Sequence, residues 1–123
     1  MGMLVGYMEG TNPEWLTTLQ VLGCDTMPLS NGFDGHGLNI QMITRSNKPD
    51  VVLCWLHKLI SPKPIGLSPK ELLHAAIAFN VHVLVACPAE YHSTAERIME
   101  GRLENVRLVE PEEMLKFAKG LIE

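Results

Sequence analysis

Short apolar runs alternate with segments of helical period along the whole chain. MLVGYM (3–8), CDTMPL (24–29), DVVLCWL (50–56), VHVLVAC (81–87) and NVRLVE (105–110) read as five strands. The third is a continuous apolar run, the pattern of a strand covered on both faces, and VHVLVAC is the other long apolar run. Asn12-Pro13-Glu14 reads as a helix start, with Asn as cap, Pro at the first position and an acid in the first turn. Trp15, Leu16, Leu19 and Leu22 then form a stripe that stops at Gly23. LNIQMITRSN (38–47), KELLHAAIAFN (70–80), YHSTAERIMEG (91–101) and the stretch from Pro111 read as further helices. Ser68-Pro69-Lys70-Glu71 carries the capping-box spacing at the head of the third. In the last, Glu112 and Glu113 stand early and Lys116 and Lys119 late, as the helix dipole favours.

Strands that alternate with helices, joined by crossovers, imply an α/β domain over residues 1–123. The expected architecture is a three-layer α/β/α, flavodoxin-like (Rossmann-like) fold. Its sheet would be parallel and five-stranded, in the order 2-1-3-4-5. The chain has 123 residues, 46% of them hydrophobic and 20% charged, which excludes disorder and collagen-like repeats. The net charge is −4, and residues 1–44 contain no Lys or Arg, so no basic stripe points to nucleic acid. One local exception is Val51 to Lys70, whose charged residues are Lys58, Lys63 and Lys70. This stretch reads either as a solvated loop or as a rim that attracts phosphate.

Cys24, Cys54 and Cys87 form no CxxC pair, and two of them lie in apolar runs, where Cys behaves as a small hydrophobe. A reducing, cytoplasmic setting is therefore expected. The apolar start lacks a basic n-region, and no run has the length of a membrane span.

In an open parallel sheet, ligands bind beyond the carboxyl ends of the strands, where the strand order reverses. The loops that would meet there are Glu9–Pro13, Ser30–Gly37, His57–Pro69 and Pro88–Ser93. They supply the candidate ligand-binding residues Glu9, Asn12, Asn31, Asp34, His36, His57, Lys58, Tyr91 and His92. SNGFDGHG (30–37) reads as a turn or as a backbone cradle for phosphate; it is neither a P-loop nor a dinucleotide fingerprint. No HxH or HExxH spacing supports a metal, and no residue pattern singles out a flavin or other cofactor. A phosphoacceptor receiver domain is disfavoured, because His57 and a lone Glu9 stand where acids are required. Glu71 reads as a capping carboxylate or, functionally, as a nucleophile or base beside the third crossover.

Over residues 50–110 the run DVVLCWL, loop, S-P-K-E-L, LHAAIAFN, VHVLVACP resembles the nucleoside 2-deoxyribosyltransferase-like group. The resemblance implies a flavodoxin-like fold and makes Glu71 the nucleophile on the anomeric carbon of a nucleoside. Leu73 stands where that group usually has Gly, and YMEGTNP lacks its Gly-Pro. VVLCWL, SPKP and KELLHAAIAFN also resemble methylglyoxal synthase-like domains, of whose aspartates Asp34 alone has a counterpart. Three readings follow. The first is a domain that binds a nucleoside, nucleotide or other small phosphorylated ligand, with glycosyl transfer or hydrolysis on Glu71 as its enzymatic form. The second is a ligand-binding module without chemistry. The third is a protein-interaction subunit, for which a homodimer is compatible. None of the three involves nucleic acid or membrane.

Overall fold

The computed structural model describes residues 3–62 and 66–122. Its centre is a parallel sheet of β1 (Leu4–Met8), β2 (Asp25–Ser30), β3 (Leu38–Asn39), β4 (Val51–Trp55), β5 (His82–Ala86) and β6 (Val106–Val109). The strands stand in the order β3-β2-β1-β4-β5-β6. The five strands legible in the sequence thus keep their expected order, and the sheet gains a sixth at its edge.

That sixth strand corrects the helix expected over 38–47. Leu38 and Asn39 pair with Leu29 and Ser30, and a single 3-10 turn, Ile40–Met42, follows. The Asn39 side chain accepts from the Gln41 amide, and Ile40 and Ile43, three residues apart, are both buried. Three-residue spacing matches a 3-10 turn as well as it matches a helix. Beyond it, Asn47 Oδ1 accepts from the Thr44 amide at 2.5 Å and Pro49 follows two residues later, so the segment turns instead of coiling on.

β4 and β5 are buried on both faces, as their unbroken apolar runs require. Val52, Cys54, Val83 and Val85 face one layer with Leu73 and Ala76. Val51, Leu53, Leu84 and Ala86 face the other, with Trp15, Leu19, Met114 and Ala118. The second layer is built by α1 (Pro13–Val21) and α5 (Met114–Ile122). The first is built by α2 (Pro69–Leu72) and α3 (His74–Ala78), where one expected helix breaks at Leu73. α4 (His92–Ile98) follows β5 and buries Ala95. All three cysteines are buried free thiols, and burial pushes Cys54 up to about 12, so its thiol stays protonated. No helix among the described residues is long and apolar enough to cross a membrane.

Gly37 makes the β2–β3 junction possible. Its φ is +84°, and a Cβ there would run into the Pro28 carbonyl. Gly37→Ala is expected to cost at least about 2 kcal/mol, positive φ and steric clash combined. Gly23→Ala, at φ +99° with no atom within 4 Å, is expected to cost about 1 kcal/mol. Urea unfolding of the two variants checks the order; equal losses would remove Gly37 from this role.

Candidate functional site

The strand order reverses between β1 and β4, and in open parallel sheets the carboxyl ends beside such a reversal are where ligands bind. Thr11 ties the two strands there. Its buried hydroxyl donates to the Met8 carbonyl at 2.7 Å and lies 3.3 Å from the Leu53 carbonyl. Next to it, Asn12 caps α1, its Oδ1 accepting from the Glu14 amide at 2.9 Å. Asn12 is therefore a helix cap whose acceptor is occupied.

The loop after β2 is held by its own side chains. Ser30 Oγ accepts from the Gly32 amide and donates to Asp34 Oδ1. Asn31 Oδ1 accepts from the Phe33 amide, and Asp34 Oδ1 from the His36 amide. With its proton on Nδ1, His36 donates to the Leu29 carbonyl at 3.2 Å and meets the Tyr7 ring edge-on. The amides of Gly32, Phe33 and His36 are thus spent inside the loop. A backbone cradle for phosphate, one of the two readings of SNGFDGHG, has no free donors at these three positions.

The loop after β4 brings in Lys58, from the 3-10 turn Leu56–Leu59. Its side chain is 15% exposed. Its ammonium contacts Glu9 Oε1 at 2.9 Å and lies 3.7 Å from Asp34 Oδ2. The same turn is pinned from the other side, where Asn31 Nδ2 donates to the Lys58 carbonyl at 3.0 Å. Asp34 Oδ2 is buried and has no hydrogen-bond partner, so the lysine 3.7 Å away is its counter-charge. Burial pushes the Asp34 carboxyl up. The Ser30 hydroxyl, the His36 amide, Lys58 and the His36 ring push it further down, and it ends below its ordinary value of 3.8. Three loops thus converge on one group, Glu9–Lys58–Asp34, with His36 and Asn31 against it.

Two other candidates lie along the same edge. His57 and Tyr91 line a groove of about 330 Å3 between the loop after β4 and α4, with Trp55, Leu56, Ile60 and Ile98. Trp55 is stacked on Trp15, ring centres 5.7 Å apart, which fixes one wall. His92 points elsewhere: its Nε2 donates to the Cys87 carbonyl at 2.6 Å, and it lines a different concavity, with Glu96 and Arg102.

Glu71 completes the capping box of α2. It accepts from the Ser68 amide at 3.2 Å, and the Ser68 hydroxyl accepts from the Glu71 amide at 3.1 Å. It shares a shallow concavity with Gln41, Lys70 and His74, and no hydrogen bond or ion pair joins it to the Glu9–Lys58–Asp34 group. Of the basic rim, Lys58 is engaged by carboxylates, Lys70 lies on α2, and Lys63 falls outside the described residues. Among the described residues, no cluster of three or more His, Cys, Asp or Glu side chains is placed to hold a metal ion.

Thr11, Ser30, Tyr7 and Trp55 take part in the site without having been singled out as candidates. Ser30 had a readable signal, because Ser-x-Gly and Asn-x-Phe at the end of a strand favour side-chain turns. Thr11 had none beyond its place three residues past a strand. No protein-family model matches the chain, and no curated protein matches it.

The lowered Asp34 value sets a direction with pH. Ionised Asp34 contributes stability in full above the ordinary carboxyl value, and the contribution is lost as pH falls through the lowered folded value. Asp34→Asn is expected to be about 1–3 kcal/mol less stable than the parent at neutral pH. The gap should narrow on acidification below 3.8. Urea melts of both proteins across this range test it; a gap independent of pH would contradict the assignment.

Proposed function

We propose that this chain is a flavodoxin-like binding module for a small, uncharged, hydroxyl-bearing ligand of the nucleoside class. The ligand sits at the carboxyl edge of the sheet. The observation that carries the reading is the Glu9–Lys58–Asp34 group at the point where the strand order reverses. Glu9 is about half exposed and accepts from Lys58 through Oε1, which leaves carboxylate lone pairs for ligand hydroxyls. Lys58 holds further N–H donors for a hydroxyl oxygen. The groove walled by Trp55, His57 and Tyr91 shares Leu56 and His57 with the same 3-10 turn and takes a flat ring.

Charge selects against phosphate. Two carboxylates around one ammonium leave the group at −1, and the neighbouring loop amides are already bonded. A dianion would have to displace Glu9 and sit beside Asp34. Binding without turnover is favoured over glycosyl transfer because Glu71 Oε1 accepts from the Ser68 amide at the head of α2 and no hydrogen bond or ion pair joins Glu71 to this group.

Isothermal titration with adenosine, uridine and their 5′-monophosphates tests the reading. Nucleosides are expected to bind, and the monophosphates to bind no more tightly. Glu9→Gln and Lys58→Met are each expected to weaken binding about tenfold, the loss of one hydrogen bond to a charged group. Silence towards every nucleoside, or monophosphates that bind tenfold tighter, would overturn it. Release of free base that disappears in Glu71→Gln would put turnover in place of simple binding.

A further inference from the structure

A second cavity, of about 540 Å3, lies at the opposite end of the sheet, under α5. It is lined at the amino-terminal ends of β5 and β6, where His82 and Val106 are the first strand residues. Its apolar part is Leu84, Phe117 and Leu121, and its charged lining is Arg107 and Lys116, with His82 beside them and no Asp or Glu. Three observations set it apart from an ordinary surface depression.

Arg107 forms no ion pair with any described residue, although the chain as a whole is acidic. Its guanidinium instead lies 4.2 Å from the centre of the Phe117 ring. Stacking uses the face of a guanidinium and leaves its in-plane N–H fork open for a carboxylate. Lys116 stands beside it, 5.9 Å from the same ring, with Glu113 Oε2 3.8 Å away on the outer side.

Gly120 is the third observation. It lies inside α5, one turn after Lys116, and lines the cavity. A Cβ placed there would meet nothing within 4 Å. Glycine inside a helix costs about 1 kcal/mol against alanine, and no neighbouring atom demands it here. The absent side chain leaves room at the exposed edge of the cavity.

We propose that this cavity is a binding site for a small amphipathic carboxylate, with an aryl or short alkyl body against Leu84, Phe117 and Leu121. Its carboxylate is received by the Arg107 fork and the Lys116 ammonium. The apolar floor selects the body, and the basic rim, with Arg107 in no ion pair to a described residue, selects the head group. The site is separate from the carboxyl edge of the sheet and stands or falls independently of the nucleoside reading.

Titration of the 15N-labelled full chain with 2-naphthoate and with its uncharged amide, 2-naphthamide, tests the proposal by NMR. The expected result is shift changes at the amides of His82, Arg107, Phe117 and Gly120, with naphthoate about tenfold tighter, the worth of one charge-assisted contact. Arg107→Gln/Lys116→Gln changes exposed side chains and should abolish the preference, so that naphthoate binds this variant no more tightly than 2-naphthamide does. Gly120→Phe should remove both ligands by filling the space. The proposal is overturned if naphthoate moves no amide of this cavity, if it binds no tighter than the amide, or if its preference survives the double substitution.

Discussion

A lysine ammonium withdrawn from water must find counter-charge or lose its proton, and the carboxyl edge of this sheet is organised around that requirement. Lys58 is 15% exposed and is met by one carboxylate from the loop after β1 and one from the loop after β2. Each partner is itself placed by further bonds. Asp34 is oriented by Ser30 and by the His36 amide, and the turn that carries Lys58 is held by Asn31. Thr11 joins the ends of β1 and β4 underneath. Removing Lys58 would leave Asp34 Oδ2 buried with neither a hydrogen bond nor a charge to offset it. Three loops that share no secondary structure are thereby fixed with respect to one another.

The framework of the sheet was legible because its signals are local. VVLCW and, after His82, VLVA are apolar without interruption, and only a strand covered on both faces accommodates that. Asn12-Pro13 and Ser68-Pro69 mark helix starts that appear at those residues. The 38–47 segment misled because Ile40 and Ile43 fit one 3-10 turn and a longer helix equally well. What decided between them was pairing of Leu38 and Asn39 with β2 across the intervening Gly-rich loop, a contact that hydrophobic periodicity does not encode.

The candidate site was legible in part, and the division is physical. Glu9, Asn31, Asp34, His36 and Lys58 lie on loops that the strand order brings together, so topology alone gathered them. Which of them touch could not be read. Glu9 and Lys58 are forty-nine residues apart and belong to no motif. Asn12 and His92 sit at the same edge, but their side chains are spent on the Glu14 amide and the Cys87 carbonyl. Glu71 fitted both a cap and a nucleophile because the spacing for the first places a carboxylate where the second would want one. Its bond to Ser68 is the cap.

The central claim is that the Glu9–Lys58–Asp34 group, and not another part of the surface, receives the ligand. The most direct test is a 15N NMR titration of the chain with adenosine, followed residue by residue. The account predicts that shift changes concentrate in Glu9–Asn12, Ser30–Gly37 and Leu56–Leu59, with a second set around Tyr91. Changes confined to other loops, or to the neighbourhood of Glu71, would contradict it.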